Sequence, residues 1–307
     1  GVTSIHDMGG YADRIQALLE SIENGSLEAP TVYPAFFMLN GESFADFQHE
    51  VTTEDQVTKA VDELVSLGAR QIKIHRAFPP ELLAFLVAHA GESGLVVAGH
   101  IPLGQHPLAA CEAGMRSFHH IAAFIESHVS VAAEEEGGTR AAFEYMRSPE
   151  SQPLYECLRR NEAWFAPTLA TYESIARARV GDGEMPQEFI DFLADNSAMA
   201  MKMHEEGIGL LAGTDTPDYS GDSSPVAGIA LLDELELLEA AGIPARDVIT
   251  IATSNAAKAI GVYGEVGSVA VGKRADLLLM PADPGSGVAA FRGVELVIQG
   301  GKVHRVP

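Results

Sequence analysis

Seven short apolar runs, each closing on a polar or glycine-rich corner, constrain this chain more than any other feature. They are VTSIHDMG, PTVYPAFFML, ARQIKIH, LVVAGH, MRSFHHI, WFAPTLA and IGLLAGTD. Runs this short and this apolar read as strands buried on both faces, as in a parallel sheet. Helix-periodic segments lie between them. TTEDQVTKAVDELVSLG opens on a threonine cap, carries acids in its first turn and stops at Gly68, the full set of helix signals. Helices are also expected over 12–23, 80–94, 107–114, 187–207, 226–242 and 245–261. A long helical region reaching Asn161 should break near Ser148-Pro149, and 131–150 is expected to be a mobile excursion.

Strand–helix alternation predicts parallel βαβ units. A closed (β/α)8 barrel needs eight strands, and the run count falls one short at the entry end. The chain opens inside a strand pattern without an initiator Met. The expected fold is therefore an α/β, (β/α)8 TIM barrel lacking its first strand. After Gly261 the texture changes to short β runs split by glycine turns, GSVAVGKRADLLLMPADP and VELVIQGGKVHRV. The expected domains are a barrel over 1–261 and a small, partial β-sandwich over 262–307.

Composition narrows the partners. The 307 residues are 47% hydrophobic and carry a formal net charge of −23, which argues against nucleic acid and anionic membranes. No apolar run reaches transmembrane length. A soluble protein acting on a small molecule or dipeptide is the expectation, with the cytoplasm favoured but the compartment open, and a homo-oligomer left open. Cys111 and Cys157 are far apart and match no metal spacing, so no disulfide framework is expected.

Polar residues recur at the strand ends. Lys73 lies near the end of ARQIKIH, His100 ends LVVAGH, His119 and His120 end MRSFHHI, and Asp215 ends IGLLAGTD. In a barrel these ends open on one face. Two imidazoles and a carboxylate there suit a borderline metal, zinc first. Each residue also has a plainer reading: His100 or His120 as a hydrogen-bonded loop histidine, Lys73 as a salt-bridged lysine, Asp215 as the cap of a short turn. His6 ends a strand as well and is a candidate substrate contact. His75, His89, His106, His128 and His204 are read as structural or solvent-facing. A carboxylate after LLAG should sit on a buried rim and need a cation beside it.

With these residues in place, the sequence resembles the amidohydrolase superfamily of metal-dependent hydrolases, in the branch of imidazolonepropionase-like and Xaa-Pro dipeptidase-like enzymes. The resemblance rests on GVTSIHDMGG, QIKIH, VVAGH, FHHI and LLAGTDT, and on ATSNAAKAIGV running into GSVAVGKRADLLLMPADP. It implies that Lys73 is carboxylated and bridges two metal ions, that His100 and His120 ligate the second, and that Asp215 binds the first and moves the catalytic proton. It implies Zn2+, two ions in the complete protein, and cleavage of an amide, peptide or cyclic amide. The H-x-H pair that such enzymes carry on their first strand is absent, and His119 stands where relatives often have Glu. A mononuclear deaminase-like or lactam-ring hydrolase, or an inactive fragment, are the alternatives. Arg76, Tyr172, Tyr219 and Arg292 are candidate contacts for a substrate carboxylate or ring.

Overall fold

The computed structural model describes residues 1–131, 138–181, 183–216 and 226–305. The chain forms two compact units, one of Val2–Ala163 and one of Trp164 onward together with Gly1. The boundary expected near residue 262 lies inside the second unit.

In the first unit, strand β1 (Ser4–Asp7) is followed by helix α1 (Ala12–Glu23), and β1 pairs in parallel with β2 (Thr31–Pro34). The run PTVYPAFFML does not continue as one strand. It breaks after Pro34, Phe36 takes a left-handed φ of 62°, and β3 (Met38–Asn40) begins. A further short strand, β4 (Gln48–Glu50), pairs with β3. Helix α2 (Glu54–Leu67) starts where Thr53 accepts from the Gln56 amide and ends at Gly68, whose φ of 84° stops it.

Strand β5 (Gln71–Ile74) is buried along its whole length and is followed by α3 (Leu83–Glu92). Then come β6 (Val96–Gly99), α4 (Pro107–Glu112) and β7 (Ser117–His119). Strands β3, β5, β6 and β7 pair in parallel, with Lys73 opposite Ala98 and Gly99 opposite Phe118. Val57, Val61 and Leu64 of α2, Ile72 and Ile74 of β5, and Leu83 and Leu86 of α3 are fully buried. Such a core carries most of the stabilisation, about 1.5–3 kcal/mol per large apolar side chain.

The unit closes with α5 (Ile121–Val131), α6 (Gly138–Arg147) and α7 (Gln152–Arg160). Ser148 caps a short turn at Pro149, where a break was expected. The excursion expected over 131–150 lies partly outside the described residues; its described part, α6, is helix.

Cys111 and Cys157 are bonded to each other, with Cα atoms 6.2 Å apart. This corrects the sequence expectation. The cysteines are 46 residues apart in sequence, but one lies on α4 and the other on α7. Asn161 Nδ2 donates to the Cys111 carbonyl at 2.8 Å beside them.

The second unit opens with β8 (Trp164–Ala166). WFAPTLA is not a strand throughout: helix α8 (Leu169–Val180) starts at its end. Helix α9 (Gln187–Glu205) then leads to β9 (Gly209–Leu210), which pairs in parallel with β8. Helix α10 (Ile229–Ala240) follows. The last helical stretch runs as α11 (Ala245–Thr250), a π-helical turn over Ile251–Asn255, and α12 (Ala256–Ala259). Beyond it, β10 (Leu277–Leu279), β11 (Leu296–Gln299) and β12 (Lys302–Arg305) form an antiparallel sheet in which Leu277 faces Ile298 and Ile298 faces Val303. Among the described residues, no helix is long and apolar enough to cross a membrane.

Candidate metal and catalytic site

The site in the first unit begins with register. Parallel pairing of β5, β6 and β7 sets their C-terminal ends side by side. Those ends carry Lys73 and His75, then His100, then His119 and His120. Along β7, Ser117 and His119 share a face, because successive side chains alternate. Ser117 Oγ lies 3.1 Å from His119 Nε2, and Lys73 Nζ lies 3.3 Å from His119 Nδ1. His119 thus bridges a hydroxyl and a buried lysine, only 3% exposed.

His120 leaves the strand in a left-handed conformation, φ 67°, which turns its ring toward His100. The two ring centres are 4.8 Å apart. His75 joins them, its ring 4.4 Å from that of His100. His75, read from sequence as structural or solvent-facing, thus stands beside the candidate ligand His100. The signal was present: His75 ends an apolar run just as His100 does.

Burial and neighbouring charge disfavour the protonated forms of His6, His100 and His119. Burial first, then His120, Lys73, His75 and His119, hold His100 well below the usual imidazole pKa. Burial, then Lys73, His120 and His6, do the same to His119. His6, at the end of β1, is lowered to about 4 by burial and by Lys73. A neutral imidazole offers a ring lone pair, the form that binds metal. His100 Nδ1 and His6 Nε2 are buried atoms without a hydrogen-bond partner.

At the rim, Arg76 Nη1 lies 3.8 Å from Glu126 Oε1. Both are partly exposed, so the pair contributes little stability. Burial raises the Glu126 pKa, opposed by Arg76.

The remaining candidates lie in the second unit. Asp215 has φ 48°, a strained setting for a residue with a side chain. It is exposed, which corrects the expectation of a buried rim. The strand β9 ends at Leu210, so Asp215 stands five residues beyond the sheet. Tyr172 packs edge-on against Phe192, ring centres 5.6 Å apart. Arg292 is occupied by Asp233 at 2.5 Å and Glu236 at 2.6 Å. Tyr219 lies outside the described residues.

The profile of the Amidohydrolase family matches residues 1–303. This chain belongs to the amidohydrolase family. It is 24% identical over 356 aligned residues to ochratoxinase of Aspergillus niger, an alignment covering 100% of this chain and 66% of that protein. The chain thus spans just under two thirds of that relative's length. It is 40% identical over 88 residues to imidazolonepropionase of Brevibacillus brevis, 29% of this chain and 20% of that one. The structure of a Xaa-Pro dipeptidase with bound methionine superposes with a TM-score of 0.75 at 21% identity, over 99% of this chain and 75% of the other. At that identity the likeness speaks to the fold.

Members of this family are typically metal-dependent. The residues in the first unit fit such an ion chemically: the imidazoles of His100 and His120 are adjacent, His100 has an unpartnered buried ring nitrogen, and a buried lysine lies among them. Among the described residues, no three His, Cys, Asp or Glu side chains gather as a complete metal set. Lysine is not one of those donor types.

Proposed function

We propose that this protein is a metal-dependent hydrolase that cleaves a carbon–nitrogen bond in a small amide, a dipeptide or a cyclic amide. The observation that carries the reading is the His100–His120 pair, ring centres 4.8 Å apart at neighbouring strand ends, with Lys73 buried alongside. Lys73, His100, His120 and Asp215 would hold the metal, zinc as first choice and two ions as the expected number. A bound divalent cation polarises a carbonyl oxygen and makes water more acidic.

The chain's own residues supply the rest. Once deprotonated, Lys73 Nζ would form a bond to the carbon of CO2 and release a proton, which leaves an anionic carbamate in place of the amine. Asp215 takes a proton from the attacking water on a carboxylate oxygen and returns it to the leaving nitrogen. His6, Arg76, Tyr172 and Tyr219 are the proposed substrate contacts, on their place in the sequence. Arg76 supplies a cation for a substrate carboxylate if Glu126 releases it.

The (β/α) barrel over 1–261 and a small β-sandwich over 262–307 are proposed as the domains. Dipeptide cleavage draws support from the dipeptidase-like structure, and opening of a cyclic amide from the local likeness to imidazolonepropionase. The test is turnover of a panel of Xaa-Pro dipeptides, N-acyl amino acids and cyclic amides by wild type and Asp215→Asn at matched zinc content. The variant should lose about 10²–10⁴-fold, the usual share of a general base. Equal rates would remove Asp215 from the mechanism.

A further inference from the structure

The peptide that presents Asp215 is held from two sides by groups that no step of the reaction uses. Strand β9 is only two residues long, and the chain from Leu211 to Thr216 has no regular structure. Its backbone is nevertheless tied down. Leu211 N–H donates to the Phe165 carbonyl at 2.9 Å. Asn255 Nδ2, at the end of the π-helical turn, donates to the Leu210 carbonyl at 3.1 Å. Thr171 Oγ1 donates to the carbonyl of Thr214, the residue directly before Asp215. Thr216 Oγ1 reaches the same carbonyl at 3.3 Å.

Thr171 is itself held. It lies in the first turn of α8, is 5% exposed, and follows Thr168, whose φ of 55° sets the start of the helix. Helices are usually capped by a local Ser, Thr, Asp or Asn. Here Thr168 makes no such bond. The acceptor is Glu234 of α10, fully buried, whose Oε2 takes the Ala170 N–H at 2.7 Å. The backbone N–H groups of Leu169 and Thr168 also face this carboxylate. A cap that arrives from 64 residues away fixes α8 against α10. It thereby fixes where the Thr171 hydroxyl meets the Thr214 carbonyl. A buried carboxylate is a costly cap, and a local serine would serve a merely structural helix.

We propose that Glu234 and Thr171 are positioning residues: Glu234 sets the start of α8, and the Thr171 hydroxyl pins the Thr214 carbonyl and holds Asp215 in its left-handed conformation. Asn255 anchors the other end of the same segment. The proposal rests on Asp215 being the proton-carrying carboxylate. A displacement near 1 Å at such a group costs on the order of 10²-fold in rate.

Crystal structures and kinetics of Thr171→Val, Thr171→Ser and Glu234→Gln, beside Asp215→Asn, test it. Thr171→Val keeps the shape and removes the donor; Thr171→Ser keeps the donor. In Thr171→Val, Asp215 should leave the left-handed region, and kcat on the best panel substrate should fall about 10–100-fold with KM changed less than about threefold. Thr171→Ser should restore both. Glu234→Gln should shift kcat in the same direction, with the start of α8 displaced. Asp215 unmoved in Thr171→Val, or full kcat there while Asp215→Asn is inactive, overturns the clamp and leaves the role of Asp215 standing. An active Asp215→Asn enzyme overturns the underlying role and the clamp's purpose with it. If no panel compound is turned over, the conformation of Asp215 in Thr171→Val decides alone.

Discussion

Gly99 lies where any side chain would collide with Lys73. An added Cβ would stand 2.8 Å from Lys73 Cδ and 2.3 Å from the Ile74 carbonyl oxygen. Gly99 also has φ +123°, a backbone setting that L side chains rarely adopt. Its missing side chain is thus the space through which the buried lysine runs along β5 and β6. Gly99→Ala should lose about 3 kcal/mol of stability from strain and clash together. It should also lower zinc content. Urea unfolding and metal analysis check both. A stable variant with normal zinc would mean that Lys73 does not need this path.

Lys73→Ala should bind less zinc and lose most activity, at least about 10²-fold, with partial rescue by added short carboxylates. Reconstitution of the wild type should depend on bicarbonate. A lysine serving only as a structural ion-pair partner would instead cost stability and spare turnover. Full activity in the alanine variant would end the carbamate reading.

Cys111→Ser should destabilise the first unit by about 4 kcal/mol, the loop-closure value for a cross-link spanning 46 residues. A reductant should have the same effect on the wild type and none on the variant. Unfolding midpoints with and without reductant measure this. No difference between them would show that the bond contributes nothing.

The Glu234 contribution to stability should fall as pH rises from about 4.5 toward 7, against the rise that the lowered pKa values of His6, His100 and His119 give over the same range. Burial raises the Glu234 pKa to about 7, against three backbone N–H groups that lower it. Between the unfolded and folded values the native state holds the extra proton, so stability is fully present below about 4.5 and is lost as pH climbs through the folded value. The full amplitude is about 3 kcal/mol. Glu234→Gln should remove this falling component, so that stability rises more steeply with pH between about 4.5 and 7 than in the wild type. An unchanged slope in the variant would place the titration elsewhere.

The strand ends were legible in sequence because apolar runs and polar corners are local properties. QIKIH, VVAGH and SFHH fall on β5, β6 and β7, and their registers bring Lys73, His100 and His120 to neighbouring ends. What escaped depends on distant partners. The start of α8, Leu169 and Ala170, was read as the end of a strand because its N-terminal acceptor, Glu234, lies far along the chain. The Cys111–Cys157 bond depends on where α4 and α7 lie. The exposure of Asp215 follows from β9 stopping at Leu210, although LLAG is apolar throughout. His119 was noted as a departure from relatives, but its contacts with Lys73 and Ser117 appear only in three dimensions.

The central claim is tested most directly by zinc titration of metal-stripped protein while hydrolysis of the amide panel is followed. The account predicts no turnover in the stripped protein, recovery as zinc is added, and saturation near two equivalents. A stripped protein that hydrolyses its substrate at the full rate, or a zinc-loaded one in which His100→Ala and His120→Ala change neither zinc content nor rate, would contradict it.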